Sequence, residues 1–240
     1  MPVTSSVVAR ALVALTMASS LHAEAPAPEA KRARALNDRG HALHVAGKLE
    51  EGLAAFRAAV EADANYALAH YNLACALARL RAAGKTCEVD AYRGTIMEHL
   101  ERAIDLDPKR RERARVDEDL RAVRDTLSFQ RVVWQRQIAT VADRRAVLVA
   151  VSWFGPSPGA YGPTSALDFS DDGSVGGWQL VFDDDGAPRR APLAGRFTVS
   201  EHGIEVRLEG AAAASKATLS WDGLEVGGTR YTDDPDDCSA

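Results

Sequence analysis

Three histidines in the N-terminal half, His41, His44 and His70, are the side chains whose type is best suited to binding a metal ion. His41 and His44 are three residues apart, so a helix would place both imidazoles on one face. A zinc or copper site needs about three or four ligands, and no carboxylate or thiol completes such a set at a matching spacing. The sequence therefore predicts ordinary groove or surface histidines, with no metal site and no cofactor.

Two runs of aspartate invite comparison with calcium sites: residues 183–185, and Asp233-Asp234 followed by Asp236-Asp237. Calcium takes roughly six to eight oxygen ligands, and its loops alternate Asp with other residues before a glycine. Neither run has that spacing. We interpret the first run as a hairpin turn and the second as part of a solvated acidic tail, residues 233–240.

Candidate nucleophiles are also poorly supported. Ser152 and the pair Ser200/His202 come nearest, but neither lies in the Gly-x-Ser-x-Gly turn that exposes a catalytic serine. No Cys-x-x-Cys motif supports thioredoxin-type chemistry. Paired catalytic carboxylates have no fixed sequence spacing, so that class stays open. The sequence as a whole favours a non-enzymatic protein with no catalytic residues.

Two helical hairpins between Ala33 and Pro108 are the elements expected to position the histidines. In the first hairpin, apolar and small residues recur at intervals of three and four from Leu36 to Leu43, and Gly47 ends that helix. A second apolar face, centred on Phe56, follows. Hairpins of this kind cannot bury their faces singly, so we expect them to stack.

This pattern resembles the tetratricopeptide repeat, a helix–turn–helix unit of about 34 residues. The positions characteristic of the family in the first unit are matched by Gly40, Gly47, Phe56 and Ala59, whereas Gly52 and Ala64 depart from it. A second unit starts at Ala67 and is interrupted by an insertion over residues 81–93. The resemblance implies repeats with capping helices over residues 33–130, followed by a linking helix over 131–145.

The resemblance also implies which side chains face the concave groove of the repeats. They are Asn37, His41 and His44 from the first unit, and Tyr71, Asn72 and Arg79 from the second. The family's clamp for a peptide carboxylate uses lysines and asparagines, and Asn72 is the position that matches it. We therefore expect a protein or peptide partner in the groove, without recognition of a C-terminal carboxylate.

The N-terminal residues have the features of a secretory signal peptide, residues 1–23. Arg10 precedes an apolar run over residues 11–21, and cleavage after Ala23 would leave a Pro-rich flexible leader over residues 24–32. The run is too short to span a membrane, and no cysteine near the cleavage point could carry a lipid. The mature chain is therefore expected to be periplasmic or secreted, with no stable membrane span.

The formal net charge of −5 is unevenly distributed, because most of the acidic excess lies in the C-terminal half. Basic residues cluster over residues 109–115, but no aromatic residues alternate with them to stack on nucleic-acid bases. We expect no nucleic-acid partner. We interpret the cluster as a solvated helix face or as a surface that docks onto the acidic half.

The three cysteines, Cys75, Cys87 and Cys238, gain significance if the chain is exported to an oxidising compartment. Cys75 is expected on the first helix of the second unit, and Cys87 in its insertion. A Cys75–Cys87 disulfide would pin the insertion to that helix, and we expect this pairing. The alternatives are pairing of Cys238 with either residue, or three free thiols.

From Ala146 to Thr232 the apolar residues change from helical spacing to alternation. The alternation marks about seven or eight short strands, separated by turns such as Asp172-Gly173 and Asp222-Gly223. The single apolar face of such a meander must curl to cover itself. The expected fold is therefore α+β in two domains: tetratricopeptide-like helical hairpins, then an antiparallel β-meander that forms a small barrel or a strongly curled sheet.

A Pro/Gly-rich stretch, residues 154–163, is expected to join the first two strands as a loop. Its aromatic residues Phe154 and Tyr161 could contact a partner or plug the barrel end. Two functions fit these features: an interaction or scaffold protein of the cell envelope, or a carrier or sensor that holds a small apolar ligand in the β-domain. A barrel filled by Trp153, Trp178 and Trp221 would leave no room for that ligand.

Overall fold

The computed structural model describes residues 28–157 and 162–235, so the predicted signal peptide, Tyr161 and Cys238 lie outside the described residues. The helices in the described part are α1 (Pro28–Val45), α2 (Leu49–Ala62), α3 (Ala67–Ala82), α4 (Arg93–Leu106), α5 (Arg110–Val116), a 3₁₀-helix (Glu118–Val123), α6 (Leu127–Val132) and α7 (Val141–Leu148). Among these helices, none combines the length and apolar character needed to cross a membrane.

Helices α1 and α2 approach each other so closely that two glycines are needed between them. A Cβ on Gly40 would lie 2.7 Å from the ring of Phe56, and a Cβ on Gly52 would lie 3.2 Å from the Gly40 carbonyl oxygen. Gly47 follows α1 with a φ of 77°, which favours glycine at the turn into α2. The predicted break at Gly47 is therefore confirmed.

Helix α3 lies at the centre of the helical core. Its Leu73 and Leu77 belong to one buried cluster with Ile96 and Leu100 of α4 and Leu120 of the 3₁₀-helix. The α3–α4 connection is longer than the α1–α2 turn, at the position of the predicted insertion. Helix α3 is therefore covered both by α4 and by the 3₁₀-helix, and their apolar side chains form one core.

Helix α1 begins earlier than predicted. Pro28 is its first residue, a position where proline is favoured because its fixed φ suits the helix and its missing N–H needs no partner. Glu29 in the first turn adds a favourable interaction with the helix dipole. The flexible leader predicted over residues 24–32 is therefore wrong for residues 28–32.

The linking helix predicted over residues 131–145 is also wrong, because the chain forms two shorter helices there. Helix α6 ends at Val132, and Gln135 has a positive φ of 53° in the connection. Helix α7 then starts with a capping box: the Thr140 hydroxyl accepts a hydrogen bond from the Asp143 N–H, and the Asp143 carboxylate accepts one from the Thr140 N–H.

The same capping box shifts the start of the β-domain. Because α7 continues to Leu148, Val147 is helical and Val149 caps the helix, although both were predicted to be strand residues. The sheet starts at Trp153. The alternation of valines from residue 147 was therefore a misleading signal, overridden by a helix start that Thr140 and Asp143 encode.

The strands are β1 (Trp153–Phe154), β2 (Ser165–Phe169), β3 (Ser174–Phe182), β4 (Pro188–Ser200), β5 (Gly203–Leu208), β6 (Ser215–Ser220), β7 (Gly223–Val226) and β8 (Thr229–Tyr231). Each strand pairs antiparallel with the next in chain order. Phe154 and Thr232 exchange two backbone hydrogen bonds of 2.7 and 2.8 Å, which brings the two edges together. The predicted α+β fold with a C-terminal antiparallel β-domain is confirmed, and the sheet is a nearly closed barrel.

Side chains fill the interior of the barrel. Trp153 is fully buried and its indole N–H donates to the Leu148 carbonyl at 3.0 Å, which satisfies its polar atom. Phe169 and Phe197 meet edge to face, with ring centres 5.0 Å apart. Trp178 is not part of this core, because its ring is only partly buried and stacks on an arginine of β4. The interior is therefore filled by Trp153 and its apolar neighbours, with Trp221 packed against them, and not by all three tryptophans together.

Arg93 and Asp233 join the helical region to the barrel. Arg93 donates to the Asp233 carbonyl at 2.9 Å and to the Asp125 carboxylate at 3.1 Å, and its guanidinium carbon lies 5.6 Å from the centre of the Phe154 ring. The Asp233 carboxylate accepts a hydrogen bond from the Leu127 N–H at 2.6 Å. Asp233 is therefore fixed against the helices, and the predicted solvated tail cannot begin there.

A pair of histidine rings lies between α3 and α4. The Nδ1 atoms of His70 and His99 are 3.1 Å apart, and His70 Nε2 lies 3.1 Å from the Ala64 carbonyl oxygen. Because a carbonyl can only accept, His70 Nε2 carries a proton, and in the neutral pair His99 Nδ1–H donates to His70 Nδ1. Burial, and then the neighbouring His70, lower the pKa of His99 below its ordinary value of 6.5.

This pair predicts a loss of stability at acidic pH. The unfolded chain binds a proton at His99 more readily than the folded chain, so the free energy of unfolding should fall as the pH drops below about 6.5. Arg57, Glu98 and His70 are the charged or titratable neighbours that modulate this effect. In urea unfolding experiments, the His99→Gln variant should show a weaker pH dependence in this window. Equal pH dependence in both proteins would contradict this assignment.

Candidate partner-binding groove

A groove with a volume of about 590 Å³ lies along α1, α3 and α5. Helical spacing places its side chains: positions 37, 41 and 44 follow one face of α1, and positions 71, 72, 75 and 79 follow one face of α3. All six residues predicted to face the groove line it, namely Asn37, His41, His44, Tyr71, Asn72 and Arg79. The structure therefore brings this set together, and its role in binding stays a prediction.

Two asparagines connect the neighbouring helices across the groove floor. Asn72 Nδ2 donates to Asn37 Oδ1 at 2.8 Å, and Asn37 is almost fully buried. This bond uses one donor group and one acceptor of the pair. The other two amide atoms, Asn37 Nδ2 and Asn72 Oδ1, form no hydrogen bond within the described residues. The bond therefore leaves the second N–H of Asn72, the Asn72 amide oxygen and the N–H groups of the buried Asn37 outside this pairing.

Tyr71 is locked in place by Asp117, which follows α5. The Tyr71 hydroxyl donates to Asp117 Oδ2 at 2.9 Å, and Arg113 Nε lies 3.2 Å from the same oxygen. Asp117 Oδ1 accepts from the Asp119 N–H at the start of the 3₁₀-helix. Burial, and then the nearby Cys75 and Asp117, raise the pKa of Tyr71 far above its ordinary value of 10. Tyr71 is therefore a permanent neutral donor with a structural role.

His44 is engaged by Asp119 of the 3₁₀-helix. Their Nε2 and Oδ2 atoms are 2.9 Å apart, and Arg79 Nε lies 3.7 Å from the other Asp119 oxygen. Because the carboxylate accepts the Nε2 proton, this nitrogen cannot also accept a hydrogen bond from Arg79. Arg79 therefore interacts with Asp119 mainly through charge, and the three groups form a compact polar wall at one end of the groove.

The structure places one set of possible metal ligands in this wall that the sequence did not reveal. One ligand atom each from Cys75, Asp117 and Asp119 lie within 4.8 Å of one another. However, Arg113 and Tyr71 already occupy Asp117, and burial raises the pKa of the Cys75 thiol. A metal ion would have to displace these partners. The geometry therefore favours a structural polar cluster over a metal centre.

The histidines considered as a metal set do not converge. His44 is bonded to Asp119, whereas His70 faces His99 and the backbone at Ala64. Sequence spacing placed His41 and His44 on one helix face, but it could not show that His70 belongs to a different surface of α3.

Part of the basic cluster at residues 109–115 also belongs to the groove. Arg110 and Arg113 line it, with the Arg110 guanidinium 5.8 Å from the Tyr71 ring centre. Arg111 and Arg115 donate to backbone carbonyls at the end of α6. Among these contacts none reaches the barrel, so the expected docking of this cluster onto the acidic half is wrong. Arg110 and Arg113 are three residues apart on α5, and this helical spacing is the signal that could have placed both on one face.

The predicted Cys75–Cys87 disulfide is wrong. Cys75 is a free, buried cysteine in the groove wall, facing Asp117 and Asp119. Cys87 is exposed on the connection between α3 and α4. Cys75 lies on a buried face in the middle of α3, whereas Cys87 lies five residues after the end of that helix on an exposed connection, so proximity in the sequence does not pair them.

The predicted contact loop of the β-domain is only partly described. Phe154 lies in β1, at the closure of the barrel, where the Arg93 guanidinium packs on its ring. Tyr161 lies outside the described residues. Phe154 is therefore a residue of the joint between the two regions.

Comparison with known proteins adds no assignment to this geometry. No protein-family model, no curated protein and no solved structure matches the chain.

Proposed function

We propose that this protein is an exported, non-enzymatic interaction protein of the cell envelope whose tetratricopeptide-like helical groove binds an extended segment of a protein partner. The observation that carries the proposal is the Asn37–Asn72 pair, which retains an amide donor and an amide acceptor at the groove floor. A peptide group presents one N–H donor and one carbonyl acceptor, so its hydrogen-bonding groups complement the pair.

The groove combines this backbone-binding floor with a charged rim. His41 and Asp38 are exposed at one side, and Arg113 is exposed at the other. Arg113 pairs with Asp117 and His44 pairs with Asp119, so His41 and Asp38 are the rim side chains that would contact the polar groups of a partner. Backbone contacts at the floor would give affinity, and rim contacts would select the partner's side chains.

Export rests on the signal-peptide pattern of residues 1–23, with a periplasmic or secreted mature chain as the proposed location. The repeat assignment rests on the helix order and on the close α1–α2 contact at Gly40 and Gly52. The proposal of export and the repeat assignment are independent, because export concerns the leader and the repeat assignment concerns the packing of the mature chain.

The alternative function, a carrier or sensor for a small apolar ligand, needs free volume inside the barrel. Trp153, Phe169 and Phe197 occupy that interior with their neighbours. The packing therefore favours the interaction protein over the carrier, and the barrel serves as a rigid base for the helices.

The proposal predicts that Asn72→Ala weakens partner capture without unfolding the chain. Each uncompensated amide group in a bound complex costs about 1–3 kcal/mol, so capture should fall roughly 5- to 150-fold. The immobilised mature chain would be exposed to proteins of the envelope fraction, and captured proteins would be quantified by mass spectrometry.

The matched control is Glu61→Ala, an exposed change on α2 that lies outside the groove. Tyr71→Ala is unsuitable because Tyr71 holds Asp117 and its loss would disturb the fold. A partner retained equally by Asn72→Ala and the control would rule out the asparagine pair as the binding floor. Co-purification of an apolar small molecule instead would support the carrier.

A further inference from the structure

His70 and His99 present two ring nitrogens to each other at a place outside the groove. Their Nδ1 atoms lie 3.1 Å apart, and neither residue lines the groove. Two zinc–nitrogen bonds of about 2.0–2.1 Å at a tetrahedral angle would place their nitrogens about 3.3 Å apart. The observed separation is therefore close to that of two ligands of a single ion.

The Ala64 carbonyl prepares His70 to act as a ligand. His70 Nε2 lies 3.1 Å from that oxygen, so Nε2 carries the proton and Nδ1 directs its lone pair toward His99. Histidines that bind metals usually have the same outer contact, which sets the tautomer and the ring orientation. The turn that carries this carbonyl is held in place, because the Asn65 side chain accepts a hydrogen bond from Arg102 of α4 at 2.6 Å.

Both histidines lie on helices of one packed core, which limits how far they can move apart. His70 belongs to α3 and is buried, whereas His99 belongs to α4 and is half-buried, so an ion would enter from the side of His99. The ring centres are 5.3 Å apart and the ring planes are inclined by 43°. The His99 ring therefore has to pivot before both lone pairs converge on one ion. Of the charged neighbours of His99, Glu98 favours an added positive charge and Arg57 opposes it.

We propose that His70 and His99 bind one divalent transition-metal ion of the zinc class, which joins α3 to α4. Imidazole nitrogens suit zinc, whereas magnesium and calcium prefer oxygen ligands. In the bound form His99 carries its proton on Nε2 instead of Nδ1, so the neutral pair binds the ion without releasing a proton.

Two protein ligands leave part of the coordination sphere of the ion to other groups. Within the described residues, no third histidine, cysteine or carboxylate ligand completes a set with this pair. Water would fill the remaining positions, and a ligand from another molecule could replace it. The ion would therefore be held more loosely than in a structural zinc site with four protein ligands. This site is separate from the groove, and its test requires no protein partner.

The test is a calorimetric titration with Zn²⁺ of the full chain, produced without a histidine tag and freed of metal by a chelator. The expected result is saturable binding of one ion, with a melting temperature that rises as Zn²⁺ is added. His99→Gln should weaken binding by more than the roughly 10- to 100-fold that is typical for loss of an outer-shell partner, because it removes a ligand. His202→Gln, at an exposed histidine of the barrel, is the matched control and should leave the affinity unchanged.

Two further measurements locate the ion. Cys75→Ala should keep the affinity of the wild type, because the cluster of Cys75, Asp117 and Asp119 is not the proposed site. Nitrogen-15 NMR of the wild-type imidazoles should show Zn²⁺ shifting the Nδ1 resonances of His70 and His99, a result that does not depend on how well a variant folds. Equal affinity in wild type and His99→Gln, loss of binding in Cys75→Ala, or Nδ1 resonances that Zn²⁺ leaves unchanged would each overturn the proposal.

Discussion

Replacement of Gly177 by alanine should destabilise the β-domain by about 3 kcal/mol or more, a large part of the stability of an ordinary domain. Gly177 lies in β3 with a φ of 152°, a conformation that side chains rarely adopt. A Cβ there would lie 2.9 Å from the Ala166 carbonyl carbon and closer still to its oxygen. Both atoms belong to the backbone of β2, so the clash cannot be relieved by rotating a side chain.

The matched control for this prediction is the preceding residue. Gly176 is also in β3, but nothing lies within 4 Å of a Cβ built on it. Urea unfolding, followed by the combined fluorescence of the four tryptophans, should show a much lower midpoint for Gly177→Ala than for Gly176→Ala. Similar midpoints for the two variants would show that β2 and β3 are not as closely apposed as the structure places them.

Replacement of Asp117 by alanine should cost about 3 kcal/mol in the helical region, because one change removes two kinds of contact. The buried Tyr71 hydroxyl loses its acceptor, and the Asp119 N–H loses the side chain that caps the 3₁₀-helix. Both groups then remain close to the groove floor without a partner. The effect would be measured by chemical unfolding with circular dichroism at helical wavelengths.

A double-mutant cycle separates these contributions. Tyr71→Phe should be milder, because Asp117 keeps its interactions with Arg113 and the Asp119 N–H. In the Asp117→Ala background, Tyr71→Phe should recover stability, because it removes the unpaired hydroxyl. Glu118→Ala is the exposed control in the same segment. If Asp117→Ala cost no more than Glu118→Ala, the buried network would not stabilise the fold.

Several features of the fold could be predicted because they depend on local sequence. The alternation of apolar residues and the glycine turns, such as the one at Gly173 with its φ of 82°, predicted most strands of the barrel. Helical spacing likewise placed Asn37 and Asn72 on the faces that meet in the groove. In each case the signal was the regular spacing of residues, either within one helix or strand or between two neighbouring hairpins.

The features that were missed depend on competition between signals or on distant contacts. The valines from residue 147 alternate as in a strand, but the Thr140–Asp143 capping box starts a helix that includes the first of them. Asp117 and Asp119 reach the groove because the 3₁₀-helix packs on α3, more than forty residues away from Tyr71 in the sequence. No local period reports such a contact. The Cys75–Cys87 disulfide was wrongly predicted for the same reason, because the local spacing does not show that Cys75 faces Asp117 and Asp119.

The connection between the barrel and the helical region bears on the proposed binding in the groove. Arg93 binds Asp125 and Asp233 and also packs on Phe154, so one side chain of α4 touches both regions. Leu127 belongs to the core of the barrel, although it is the first residue of α6. The groove is therefore built on a supported array, which limits the conformational freedom that a partner would have to restrict on binding.

The most direct test of the proposed partner binding in the groove is site-specific photo-cross-linking in cells, in the proposed envelope location. A photoreactive amino acid would replace His41, which is exposed and lines the groove, or Glu61 on the outer face of α2. The account predicts a discrete protein adduct from position 41, its loss when Asn72→Ala is added, and no such adduct from position 61. Equal cross-linking from both positions, or an adduct that persists with Asn72→Ala, would contradict docking in the groove.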